Sequence, residues 1–173
     1  DNTRVFAVGV LFPLVLDSSR RDNRHAVFDL ERFAIRSRGQ THWAERRNKV
    51  PSEPTGFDQF FDQMISPAQE EVLAASDRIT FAICVDDHGY APTHNRRFSQ
   101  PLTGDPGRDR MNNRTKRMFN DRTGIRAAQS VEPFLLQTYM RDTGEIMNDI
   151  STPIMIAGRH WGAVRVGYQI SDS

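Results

Sequence analysis

A chain of 173 residues with 23 Lys and Arg against 22 Asp and Glu carries a formal charge of +1, so it lacks the strongly basic stripe a nucleic-acid surface needs. That length supports one real hydrophobic core, as a single domain or a domain with a helical extension. The one cysteine, Cys84, excludes an intrachain disulfide and leaves the redox compartment open.

The apolar run Val5 to Leu16 (VFAVGVLFPLVL) is shorter than the ~20 residues of a membrane-spanning helix. It carries no cleavage-site pattern, and Pro13 would kink a helix there. The abrupt ends suggest a piece of something longer. Ala26, Val27, Leu30, Phe33 and Ala34 fall on one helical face. They predict a long amphipathic helix from about Arg4 to Arg38, packed on its own domain or forming a dimer. Gly39 to Gly56 reads as a polar connector. Residues 1–56 are thus a helical segment with its connector, and 57–173 the folded domain.

Phe57, Phe60, Phe61 and Met64 recur at helical spacing. A second helix starts at Ser66-Pro67-Ala68-Gln69. Ser66 serves as the cap, Pro67 as the first helical residue, and Gln69 completes a capping box. That helix ends near Ser76. Arg78 to Val85 alternates as a strand, with Ile79, Phe81, Ile83 and Val85 on one face. Cys84, on the other, reads as a small buried residue. Asp86 to Gly89 predicts a hairpin turn, and Tyr90 to His94 a short second strand. Asn95 to Asp109 reads as a loop, Asn112 to Asn120 as a short basic helix, and DRTGIRAAQS (121–130) as a loop. Three runs follow: Phe134 to Met140, Ile146 to Ile156 and His160 to Tyr168. Asp142-Thr143-Gly144 and Ala157-Gly158-Arg159 separate them. Connections this short suit an antiparallel meander. The fold class is α+β, with a five-stranded antiparallel sheet and a long N-terminal helix.

The segments GYAPTHN (89–95), FSQPLTGDP (98–106), NRTKRMFND (113–121), PFLLQTYMRDTGE (133–145) and GRHWGAVRVGY (158–168) form an ordered series. The series resembles the PAS-like, Cache-type sensor domains of bacterial methyl-accepting chemotaxis proteins, over about Phe57 to Tyr168. The resemblance implies a PAS-like sheet and a ligand-sensing, non-catalytic module. It also implies a homodimer joined to the rest of a membrane-anchored receptor of the bacterial inner membrane. The sensor domain would be periplasmic by family habit, with a cytoplasmic position as the alternative.

A PAS-type pocket lies between one sheet face and the crossover after the second strand, where a few polar groups fix a small ligand. Arg114, Lys116 and Arg117 are close together, and an arginine can hold a carboxylate through two parallel bonds. Arg117 is the preferred anchor, because the apolar end of its helix follows it. A solvated basic face is the competing reading. Tyr90, His94 and Asn95 flank the second strand. His94 could donate to an anion or change charge near neutral pH, or serve structure alone. Gln137 and Tyr139 sit among apolar neighbours and need partners, supplied by the ligand or the next strand. Trp161 reads as core or as ligand wall. The expected ligand is a small anionic organic molecule, a carboxylate among the candidates.

The five histidines (25, 42, 88, 94 and 160) form no HExxH, and no CxxC, GxSxG, Walker loop or GxGxxG occurs. No enzyme, metal or cofactor is therefore expected. The absence of CxxCH excludes covalent c-type haem, while non-covalent haem on a histidine stays open. The alternative to a sensor is a dimerisation or partner-docking module that binds no ligand.

Overall fold

The computed structural model describes residues 56–140, 144–156 and 158–169. The expected N-terminal helix, its connector up to Thr55, and the Asp142-Thr143 and Ala157 turn positions lie outside these residues. Among the described residues the chain is α+β, with helices packed on an antiparallel sheet.

The first helical stretch is continuous: α1 (Gly56–Phe60), a π-helical turn (Phe61–Ile65) and α2 (Ser66–Ala74). Ser66 is not the cap of a fresh helix. Its N–H donates to the carbonyl of Phe61, five residues back. Pro67 explains the widened turn, since it brings no N–H and its ring crowds the carbonyl four residues behind. Gln69 is fully buried in the helix rather than closing a capping box.

β1 (Ile79–Asp86) pairs antiparallel with β6 (Arg159–Gln169). β6 pairs with β5 (Ile146–Ile156), and β5 with β4 (Leu135–Met140). The C-terminal meander matches the expected strands to within a residue or two. The main sheet is four-stranded, not five-stranded. The short strand β2 (Tyr90–Ala91) pairs instead with β3 (Arg117–Met118). Two features steer it away from β1. The Tyr90 N–H is taken by Asp86 Oδ1 at 2.8 Å, and Pro92 ends the run because it cannot donate. Gly89, at φ +84°, turns the chain into the crossover.

The crossover differs most from expectation. α3 (Pro106–Asn112) occupies part of the expected loop. Asp105 caps it, accepting from the N–H groups of Gly107 and Arg108 at 2.8 and 3.2 Å, with Pro106 in the first turn. Residues 113–120 are not a helix. They turn through Lys116, at φ 56°, into β3. α4 (Arg122–Gln129) then forms where a loop was expected, and Asp121 Oδ1 accepts from Thr123 and Gly124 at 3.0 Å each. Gly124 looks like a helix breaker in the sequence. Its role is close approach, because a Cβ there would overlap the backbone carbonyl of Phe119.

Both faces of the sheet carry packed side chains, with one face of the edge strand β4 left exposed. Phe61, Ile65 and Val72 pack with Ala82, Cys84, Trp161, Val164 and Val166 on one side. Phe81, Ile83, Val85, Met147, Ala163 and Ala128 pack together on the other. Ile79 joins the first side rather than Phe81's, because a bulge lies between Ile79 and Phe81. On β4, residues 135, 137 and 139 are half-buried and 136, 138 and 140 exposed, the period of two that its sequence predicts. Gly124→Ala should cost about 1–3 kcal/mol by overpacking against the Phe119 backbone, a drop of several degrees in a thermal melt. An unchanged melting temperature would mean that this close approach is not required.

Candidate ligand site

A cavity of about 500 Å³ lies on the second face of the sheet. The sheet contributes Phe81, Ile83, Tyr139, Met140 and Arg165. The facing segment contributes His94, Arg110, Arg114, Arg117, Phe119 and Asp121 to Thr123. Among the described residues the lining thus carries five arginines (110, 114, 117, 122 and 165) and one carboxylate, Asp121.

Arg165 anchors the floor. It lies two ladder steps from Asp149 on the neighbouring strand: Arg165 is paired with Ser151, and Asp149 with Gly167. That offset brings their side chains together on one face. Nη2 and Nε of Arg165 donate to Asp149 Oδ2 at 2.6 and 3.1 Å. The residues are 4% and 0% exposed. Burial pushes the Asp149 carboxyl up, and the Arg165 charge pulls it partly back. Gly167 leaves room for the ring of Phe81, over which the Arg165 guanidinium sits at 5.9 Å.

His94 is 3% exposed, and its ring meets Phe98 edge-on with centroids 5.1 Å apart. Its Nδ1 accepts the N–H of Asn95 at 2.8 Å, which assigns the proton to Nε2. Burial, followed by the charges of Arg114, Arg165, Arg97 and Arg117, pushes its pKa down to about 3. His94 is therefore a neutral Nε2–H donor at neutral pH, not the charge switch considered from sequence. Arg117 lies on β3 rather than on a helix. Its Nη1 and Nη2 donate to the carbonyls of Arg110 and Asp109 at 3.3 and 3.4 Å, at the last turn of α3, where the Asp109 carbonyl also accepts the N–H of Asn113 at 2.9 Å. Burial and the charge of Arg110 lower its pKa from the ordinary value.

The cavity therefore gathers His94, Arg114, Arg117 and Tyr139 from the residues singled out in the sequence. Lys116 does not line it and donates to Asp62 at 2.8 Å. The other four do not line it either. Tyr90 is fully buried and donates its O–H to Asp58 at 2.7 Å. Asn95 accepts the N–H of Ala82 at 2.8 Å and donates to Gln69 O and Glu70 Oε1. Gln137 donates to the carbonyl of Thr123 at 3.0 Å. Trp161 stacks on Phe61 across the opposite face, with centroids 5.5 Å apart. Sequence reasoning missed Arg110, Arg122 and Arg165. Arg165 did leave a signal, as a cation inside the apolar run AVRVGY with Asp149 similarly set in MNDIS.

Asp86, Asp87 and His88 bring three ligand-type atoms within 4.8 Å. They hold the turn itself: Asp86 Oδ1 accepts from the backbone of His88 and Tyr90, and His88 Nδ1 lies 2.8 Å from Asp87. The buried Cys84 thiol is pushed up to about 12 by desolvation, so no thiolate is available there. No helix among the described residues is long and apolar enough to cross a membrane.

No protein-family model matches the sequence, and a search of curated proteins finds no match. Among solved structures, an extracellular ligand-binding receptor from Desulfohalobium retbaense aligns with a TM-score of 0.44 at 12% identity. The alignment covers 97% of this chain and 25% of that one, so the chain spans about a quarter of the receptor's length. A likeness this loose assigns neither fold nor function.

The state of His94 predicts an acid limb in the stability. A histidine held at about 3 against its ordinary 6.5 takes up a proton more readily when the chain unfolds. Its contribution is complete above 6.5 and is lost as pH falls through that window. At about pH 4.5 the loss is about 2–3 kcal/mol. Asp86, pushed up to about 7 chiefly by burial, acts with the opposite sign: its contribution is present below 3.8 and is lost as pH rises towards 7. Comparison with His94→Gln separates the two effects. The parent chain's advantage in unfolding free energy should shrink by that amount between neutral pH and about pH 4.5. A constant gap would mean that folding does not lower the His94 pKa.

Proposed function

We propose that this chain is the ligand-sensing domain of a bacterial chemoreceptor of the methyl-accepting type. It is a PAS-like, Cache-type module that binds a small anionic organic molecule, carries out no catalysis and signals by conformational change. The observation that carries this reading is the arginine-lined cavity between sheet and crossover. Guanidinium groups offer paired donors to a carboxylate. Phe81, Ile83 and Phe119 supply apolar lining, against which charge-assisted bonds act at lower effective dielectric. The strand order β1-β6-β5-β4, with a crossover between β2 and the meander, supports the PAS-like reading.

A ligand touching both walls favours whichever arrangement of sheet and crossover it binds better, and it shifts the balance by no more than that difference in affinity. In the proposed setting the module works as a homodimer within a membrane-anchored receptor, on the periplasmic side, with the cytoplasmic side as the alternative. One observation favours a second reading, a dimerisation or docking surface. Leu136, Met140 and Ile146 are exposed on one face of the edge strand β4 and its partner β5, and Phe134, just before β4, is exposed too.

A thermal-shift screen of carboxylates and amino acids tests the sensor reading. A ligand at ~100 times its Kd adds about 2.7 kcal/mol of stability. For a carboxylate hit seated on Arg117, Arg117→Ala should weaken binding by ~1.5–3 kcal/mol in calorimetry. If no anion stabilises the chain, the docking reading replaces the sensor reading.

A further inference from the structure

Two arginines of the cavity are fixed to opposite walls by different tethers. Arg165 stands on β6, in the sheet, and spends two N–H groups on a single oxygen, Asp149 Oδ2, at 3.1 and 2.6 Å. Arg117 stands on β3, in the crossover, and spends two N–H groups on the carbonyls of Arg110 and Asp109 at 3.3 and 3.4 Å. A guanidinium has about five N–H donors, so each arginine keeps donors beyond its tether. Both line the cavity. The tethers also restrict each side chain before any ligand arrives, so less rotamer freedom is lost on binding. Asp149 Oδ1 stays buried without a hydrogen-bond partner. The carboxylate thus holds Arg165 by one edge of one oxygen and does not engage it fork to fork.

We infer that the cavity takes a linear molecule with an acid group at each end, one on Arg165 and the other on Arg117. This rests on the anion-sensing reading above and narrows it. The carbon chain between the acid groups lies against the apolar lining supplied by Phe81, Ile83 and Phe119. A molecule with one acid group engages one wall only. A two-ended acid engages the sheet and the crossover together, which ties occupancy to their relative position.

The test is calorimetry on the 173-residue chain with butyrate, the diacids succinate, glutarate and adipate, and inorganic phosphate. At least one diacid should bind about 10-fold or more tighter than butyrate, the scale of one added charge-assisted bond. Arg117→Gln should bring that diacid down to butyrate's affinity while butyrate, still held by Arg165, changes little. Arg165→Lys, checked by thermal melt for folding, should weaken both acids. Diacids that bind no tighter than butyrate overturn the two-ended inference and leave the anion reading intact. Phosphate binding as tightly as the best diacid overturns it too, since charge count would then suffice without two ends. If none of these anions binds, the inference and the anion reading fall together.

Discussion

Arg165 and Asp149 meet inside the sheet, on adjacent strands, with almost no solvent access. Taking two ions out of water is costly, and their attraction offsets that cost only when the geometry is held. Here the β5–β6 ladder holds it, since the two residues are diagonal neighbours on one face. Deleting either partner would strand a charge in the protein interior, which is worse than never having the pair. The pair therefore makes the register of the two longest strands depend on charge as well as on apolar packing. It also places a fixed guanidinium on the floor of the cavity.

The two faces of the sheet divide the work. The helical face is packed by α1 and α2 over β1 and β6, with Phe61 stacked on Trp161 and Val72 buried against the strands, and stays exposed over β4. The other face is spanned by the crossover. Small residues of α4 (Gly124, Ala127 and Ala128) are buried there and bring backbone close to backbone. The arginines around the cavity are held through main-chain carbonyls, aromatic faces and one carboxylate. Such tethers position positive charge without fully cancelling it. The depressed pKa of His94 reflects that field as well as its own burial.

Polar residues near a pocket need not belong to it. Tyr90, Asn95 and Gln137 carry the donors and acceptors a ligand site uses, yet each spends them on the protein. Tyr90 ties β2 to α1 through Asp58, and Asn95 joins β1 to α2. Gln137 reaches from the sheet to Thr123 at the start of α4. Buried polar groups are expensive unless paired. A partner elsewhere in the chain satisfies that demand as well as a ligand does, and it is invisible until the chain is folded.

What the sequence determined by itself is local. Alternation set β1 and β4, and the short connections set the antiparallel meander, because side-chain period and turn length act within a few residues. The helices that begin after Asp105 and Asp121 read as loop in the sequence, because Gly104, Gly107 and Gly124 interrupt the helical pattern there. His94, Arg117 and Tyr139 were legible because each lies in a short segment with a mixed polar and apolar character. The tertiary structure decided the partner of β2, the face of Ile79 behind its bulge, and the recruitment of Arg165, Arg110 and Arg122 to the same cavity. Those outcomes depend on which strand lies beside which and in what register. A one-residue shift there changes the face of every side chain, and no local pattern encodes it.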